Sequence, residues 1–255
     1  MPRILITLCL AAVVALAGCA TNGADEEQPA ESLYAEAQEA MDAGNYEDAV
    51  QTLETLQARY PFGRYAEQAQ LDIIYAYYRF DEPDSAVAAA ERFIRLNPRH
   101  PSVPYAHFMQ GVAEMSRGRS FLTEAFDLDR ASRNPEPLQR AFRAFRTVVT
   151  QYPDSDYAEN ARQRMLIIRD LQARHELHVA RFYMDRGAFV AAANRAKRIL
   201  SEYDETPAVE EALAIMAEAY GKLEIPALRE DIRRVIGDNF PDHPLARREQ
   251  QSASD

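Results

Sequence analysis

The strongest constraint on the fold is a stop signal that recurs along the chain. Tyr60-Pro61, Asn97-Pro98, Tyr152-Pro153, Tyr203-Asp204 and Phe240-Pro241 each close a run of helix-forming residues. The closing residues lie 37, 55, 51 and 37 positions apart. Proline cannot continue a helix and pushes the residue before it out of the helical region. Eleven residues upstream of the first four stops sit Ala49-Val50, Ala86-Val87, Ala141-Phe142 and Ala192-Ala193. Before these comes a turn, such as Ala43-Gly44-Asn45-Tyr46 or Arg186-Gly187-Ala188-Phe189, and before the turn another helical run. Glycine is scarce (9) and tryptophan absent, and the β-branched alternation of strands is rare, so the pairs are all helical. A helix pair of this size cannot bury its apolar face alone, so successive pairs must stack. An irregular bundle would not repeat the turn, the alanine and the stop together.

This pattern resembles the tetratricopeptide repeat, a helix-turn-helix of about 34 residues with small residues at the helix crossing and proline at its end. Ala37, Gly44, Ala49 and Pro61 fit a first repeat, Tyr77, Ala86 and Pro98 a second, and Ala141 and Pro153 a third. Ala180, Tyr183, Gly187 and Ala192 fit a fourth, and Ala217, Tyr220 and Pro241 a fifth. The expected fold is an all-α, right-handed superhelical solenoid of five such repeats over residues 31–245. Approximate repeat boundaries are 31–64, 65–101, 102–155, 156–206 and 207–243. Two stretches depart from the period. Extra residues from Arg117 to Pro137 read as a partly ordered loop within the third repeat. Tyr157 to Asp185 has neither glycine nor proline, so it reads as one long helix, half of it available to the preceding repeat or to a partner.

The ends have a different character. After Arg3, residues 4–17 are apolar apart from Thr7, a run suited to the core of an export signal and too short to cross a bilayer core of about 30 Å. The run ends in Leu16-Ala17-Gly18-Cys19, which resembles the bacterial lipobox. Residues 1–18 are therefore expected to be a lipoprotein signal peptide, and Cys19 the lipidated residue. Each buried methylene of an acyl chain contributes about 0.8 kcal/mol, so several chains on Cys19 would anchor the protein stably. Ala20 stands where lipoproteins retained in the inner membrane carry aspartate, which favours the outer membrane. Cys9 leaves with the signal, so the mature chain is expected to hold neither a disulfide nor a free thiol. Residues 19–30 read as an acidic flexible tether, and 246–255 as a disordered tail.

The net charge of −11 argues against nucleic acid as a partner. His175 and His178 flank Glu176 as HELH, which lacks the i, i+4 histidines of the zinc motif HExxH and is expected to be solvated surface. His100 and His243 precede prolines at repeat ends and read as loop residues, and His107 has no ligand set around it. No nucleophile elbow or phosphate loop occurs. The expectation is a protein that is no enzyme and needs no cofactor or metal.

Recognition remains. Counted from the repeat frame, the concave lining of the first two repeats includes Tyr34, Gln38, Met41, Gln68, Leu71, Tyr75, Tyr78 and Arg79. That lining suits an extended peptide with aromatic side chains, with Arg79 placed to meet a terminal carboxylate. One of Tyr75 and Tyr78 is expected in the core, because Tyr75-Ala76-Tyr77-Tyr78 wraps more than half a turn.

Two stretches go beyond a generic repeat. They are Arg59-Tyr60-Pro61-Phe62-Gly63 continuing through Gln70-Leu71-Asp72-Ile73-Ile74-Tyr75-Ala76-Tyr77-Tyr78, and Arg92-Phe93-Ile94-Arg95-Leu96-Asn97-Pro98 with His100-Pro101. With the lipobox, the five repeats and Gly187 to Arg195, they resemble the BamD family of lipoproteins of the outer-membrane β-barrel assembly machinery. The resemblance covers essentially the whole chain. It implies a non-catalytic scaffold on the periplasmic face of the outer membrane. Its implied partners are the POTRA region of BamA on the C-terminal repeats, other assembly lipoproteins, and unfolded β-barrel precursors on the N-terminal repeats. On the BamA-facing side the residues singled out are Arg195 and Arg198, with Arg186 near the preceding turn. Intramolecular pairs with Glu202 or Glu205 are the competing reading for Arg198 and, less so, for Arg195. A periplasmic adaptor coordinating peptidoglycan enzymes is the alternative function.

Overall fold

The computed structural model describes residues 28–117 and 134–246. The signal segment, Cys19, most of the tether, residues 118–133 of the third-repeat insertion and the tail from 247 onward lie outside the described residues. Within them the chain forms α1 (Ala30–Asp42), α2 (Tyr46–Arg59), α3 (Arg64–Arg79), α4 (Pro83–Leu96) and α5 (Val103–Ser116). These are followed by α6 (Glu136–Gln151), α7 (Ala158–Asp185), α8 (Phe189–Glu202), α9 (Ala208–Lys222) and α10 (Pro226–Asn239). The fold is an all-α array of helix-turn-helix repeats, of the solenoid class, with no strand among the described residues.

The repetition is visible in the backbone hydrogen bonds. All five closing residues, Tyr60, Asn97, Tyr152, Tyr203 and Phe240, cap a helix C-terminus. Each donates its N–H to the carbonyl of a buried residue four positions back: Leu56, Phe93, Val148, Ile199 or Ile236. The turns inside four of the pairs are equally alike. Asn45, Glu82, Ala188 and Ile225 donate to the carbonyls of Ala40, Tyr77, Tyr183 and Tyr220, five residues back, which is the closing bond of a Schellman motif. The residue before each donor is left-handed: Gly44 and Gly187, but also Asp81 (φ 62°) and Glu224 (φ 57°). A side chain in that region costs about 1 kcal/mol, so two of the turns are held against strain by the helices they join. Pro83, Pro104, Pro137 and Pro226 occupy the first or second position of their helices, where a missing N–H costs nothing.

The chain forms two compact units, residues 1–73 and 74–255. In the first, α1 packs on α2, and the core is Leu33, Ala37, Ala49, Leu53, Leu56, Ala66 and Ala69. Gln57 Nε2 reaches the Ala69 carbonyl at the start of α3. In the second, successive helices from α4 to α10 pack on one another, and α9 also touches α7. The expected single helix from Tyr157 to Asp185 is α7, with Tyr157 as its N-cap. Its second half buries Ala173, Leu177 and Ala180 against Ala192, Ala196 and Ile199 of α8 and Ala212 and Ile215 of α9. Its first half lies along the preceding repeat, where the Arg164 guanidinium covers the rings of Phe108 and Phe145. Arg117 caps α5, and α6 begins at Glu136 because Asn134 Oδ1 accepts the Glu136 N–H at its start.

His100 and His243 have a loop role with a definite bond. The Nδ1 of each accepts a backbone N–H two residues on, from Ser102 and Leu245, so each imidazole ties the turn that leads into the next helix.

At the crossing of α5 and α6 a glycine lies directly against an aromatic ring. A Cβ built on Gly111 would come within 2.6 Å of the Phe145 ring, which is fully buried and cannot withdraw. Gly111→Ala is expected to lower stability by about 1–3 kcal/mol in urea or thermal unfolding, although alanine is the better helix former.

Candidate binding surfaces

Within residues 1–73, part of the expected groove lining converges on one carboxylate. Tyr34 and Gln38 are one turn apart on α1, and Gln68 and Asp72 are one turn apart on α3, so all four meet across the helix pair. Asp72 Oδ2 accepts the Tyr34 hydroxyl at 2.8 Å and the Gln38 amide at 2.7 Å, and Oδ1 accepts the Gln68 amide at 3.0 Å. The Gln38 amide also donates to the Tyr34 oxygen at 2.9 Å. Burial pushes the Asp72 carboxyl above its ordinary value, against the hydrogen bonds from Tyr34, Gln68 and Gln38, which lower it. Burial, with Asp72 alongside, raises the Tyr34 phenol, which therefore stays a neutral donor. The Tyr34 and Tyr65 rings lie 5.5 Å apart and tilted by 42°. Leu71 differs from its expected place: it is 7% exposed and belongs to the core, because α3 is buried on more than one side, Ala66, Ala69 and Ile73 on one and Leu71 nearly opposite them. Met41 is half-buried.

In the second unit, Tyr75 and Tyr78 are both half-buried, so neither is the core residue expected of one of them. Arg79, expected to be open to a terminal carboxylate, donates to the Tyr75 hydroxyl at 2.5 Å and lies over its ring.

The competing pair with Glu202 is present for Arg198, but a third glutamate organises both C-terminal arginines. Glu176 of α7 has only 8% of its side chain exposed. Its Oε2 lies 3.0 Å from Arg195 Nη1, and its Oε1 lies 3.3 Å from Arg198 Nη1, both on α8. Arg198 also donates through Nε to Glu202 at 2.9 Å, while Glu205 is taken by Arg169. The two arginine side chains remain 38% and 44% exposed and line a cleft of about 370 Å³ with Tyr183, Ala191 and Asn194. Arg186 is not among them: its guanidinium stacks on the Phe182 ring, 3.9 Å from the centroid.

Glu176 is therefore buried and not part of the solvated surface expected of the HELH segment. The signal that would have found it is spacing, since Ala173, Glu176, Leu177 and Ala180 form one inward helical face. A second buried glutamate, Glu114 of α5, is held the same way. Arg140 of α6 donates to it at 2.8 Å, and Arg117 Nε lies 2.7 Å away, angled as a charge contact rather than a hydrogen bond. Arg117 also pairs with Asp84, so this residue at the edge of the insertion is a structural cation rather than a free loop arginine. One further feature has no counterpart in the sequence pattern, a cleft of about 910 Å³ where α7, α8, α9 and α10 meet. Its cations include Lys222, Arg229 and Arg233.

Among the described residues no cluster of three or more histidine, cysteine or acidic side chains could hold a metal. No described helix is long and apolar enough to cross a membrane.

The Glu176 site is asymmetric in what its parts cost. Removing both guanidiniums strands a buried carboxylate, whereas neutralising Glu176 leaves two arginines that water can reach. The double variant Arg195→Ala/Arg198→Ala is expected to lose about 2–3 kcal/mol in urea unfolding, and Glu176→Gln clearly less.

A family model described as outer membrane lipoprotein (YfiO) matches residues 26–235. The outer membrane protein assembly factor BamD of Neisseria gonorrhoeae is 45% identical over 252 residues, covering 96% of this chain and 94% of its own length. That of Vibrio cholerae serotype O1 is 40% identical over 215 residues, covering 84% of this chain and 89% of its own. Among solved structures, a Podosopora anserina protein with nearly identical TPR-like repeats covers 83% of this chain at 19% identity, with a TM-score of 0.38.

Proposed function

The chain belongs to the outer membrane lipoprotein family that includes the assembly factors BamD, and from that premise we propose that it is the scaffold joining unfolded β-barrel precursors to the BamA subunit of the assembly machinery. It is an outer-membrane-associated, non-catalytic factor of outer membrane protein assembly. In the finer reading, Cys19 carries the acyl anchor and the repeats face the periplasm. The POTRA region of BamA docks on the C-terminal repeats, and precursors and other assembly lipoproteins use the remaining surface.

The observation that carries the BamA assignment is the Arg195–Glu176–Arg198 arrangement. Glu176 spends one edge of each guanidinium and Glu202 takes the Nε of Arg198, so the two cations are held side by side with their side chains still partly exposed. Partner carboxylates meeting such a pair would set register as well as affinity. Support for a precursor-receiving role comes from the tyrosine and amide side chains of residues 34–72, which combine apolar faces with hydrogen-bonding edges.

Depletion of the protein in its host tests the reading directly. Folded porins should disappear from the outer membrane, as read by their heat-modifiable migration on gels. Normal porin levels, with peptidoglycan enzymes co-purifying instead, would overturn it. Arg195→Glu should weaken capture of a purified POTRA fragment by about tenfold or more. Arg146→Glu, an exposed reversal on α6, should leave capture unchanged. Cys19→Ala should abolish acylation and release the mature chain from membranes.

A further inference from the structure

The Asp72 cluster has an electrostatic peculiarity: among the described residues its carboxylate is held by three neutral donors and by no cation. Residues 28–73 contain nine aspartates and glutamates against two arginines, a net charge of −7 out of −11 for the whole chain. Neither arginine serves Asp72. Arg64 is spent on Tyr65, donating to its hydroxyl at 3.0 Å and lying 4.8 Å from the ring centroid, and Arg59 is an exposed residue at the end of α2.

A half-buried anion in an anionic field, without a countercharge, is costly to keep ionised, and a cation arriving from outside would relieve that cost. An ionised carboxylate offers about four acceptor positions, of which three are filled, so Oδ1 has capacity left. The tilted Tyr34–Tyr65 ring pair beside it offers the π surface on which a planar guanidinium stacks. The Arg64 guanidinium on Tyr65 shows that one of these rings already accepts that group.

We propose that Asp72, with Tyr34 and Tyr65 beside it, is a binding site for an arginine side chain of an extended polypeptide. Charge selects the occupant, since the surrounding acidic surface attracts basic segments and repels acidic ones. Gln38 and Gln68 are positioning residues: their amides fix both carboxylate oxygens so that the free position on Oδ1 points one way. The proposal rests on the reading that precursors are received by this unit, and it names the feature of a precursor that would be recognised there.

The test uses the full mature chain and two short fluorescein-labelled peptides of Gly, Ser and Phe. One has a single central arginine, and its twin has citrulline there, equal in shape but uncharged. Fluorescence anisotropy should show the arginine peptide binding about tenfold more tightly. Asp72→Asn should abolish that preference. Asp48→Asn, which removes the same charge from an exposed position in the same unit, should retain it. Equal binding of the two peptides by the wild type would overturn the proposal, as would equal losses in the two variants. Should Asp72→Asn fail to fold, the wild type still decides. Hydrogen exchange must slow at residues 64–73 with the arginine peptide and not with citrulline, and no slowing sinks the site. Peptide preference needs no barrel assembly, so its failure is separable from a failed depletion experiment.

Discussion

Every helix pair in this chain depends on close approach between helices, and alanine is what permits it. Ala37, Ala49, Ala86, Ala141, Ala180 and Ala192 are fully buried, and Ala217 nearly so, at the points where neighbouring helices meet. At the α5–α6 crossing even alanine would be too large, and Gly111 lets the Phe145 ring rest on the helix backbone. Close approach gains dispersion and excludes water over a short contact, which is how helices of 13 to 16 residues stay ordered where isolated ones are marginal. The turns follow from the same demand. To lay the second helix back along the first, the chain must reverse in three residues, and a left-handed residue closed by a 6→1 hydrogen bond does so. Where the reversal falls on Asp81 or Glu224 instead of glycine, packing on either side offsets the strain.

On this alanine-lined scaffold the polar groups that matter are those whose burial the repeat geometry imposes. Glu114 and Glu176 each project from the first helix of a pair toward the second, and each is met by an arginine there, Arg140 or Arg195. A buried ion pair contributes little net stability, because desolvation opposes attraction. What it does contribute is direction: the glutamate fixes where the guanidinium points. At Glu176 the result is a pair of exposed cations in a fixed relation. At Glu114 the same device ties the end of α5 to α6 and, through Arg117, to Asp84 of α4. Asp72 is the opposite case, an anion held only by neutral groups. The first unit is thus short of cations, while the second holds Arg195 and Arg198 at its surface.

Much of the architecture was legible in the chain before folding. Stops at Tyr60, Asn97, Tyr152, Tyr203 and Phe240, turns at Gly44 and Gly187, and the unbroken run to Asp185 all follow from backbone chemistry, which acts within a few residues. Where reading failed, the cause was a side chain's angular position on a helix. Leu71 was assigned to a lining and lies in the core. Glu176 was assigned to solvent and lies inside, although its spacing from Ala173 and Ala180 points inward. Arg186 was grouped with Arg195 and Arg198 by proximity in sequence, yet it stacks on Phe182.

What the sequence determined by itself was therefore the list of helices, their turns, the five stops and the alanine positions where they pack. Those are set by local propensity, proline and glycine geometry, and the period of apolar residues. Tertiary structure alone decided which charges meet. Arg195 finds Glu176 rather than Glu202, and Asp72 gathers Tyr34 and Gln38 beside its own helix neighbour Gln68, because the partners that meet there come from different helices. Their distances depend on how one helix rolls against the next. The side-chain volumes at each crossing set that roll jointly, and no single stretch of sequence encodes it.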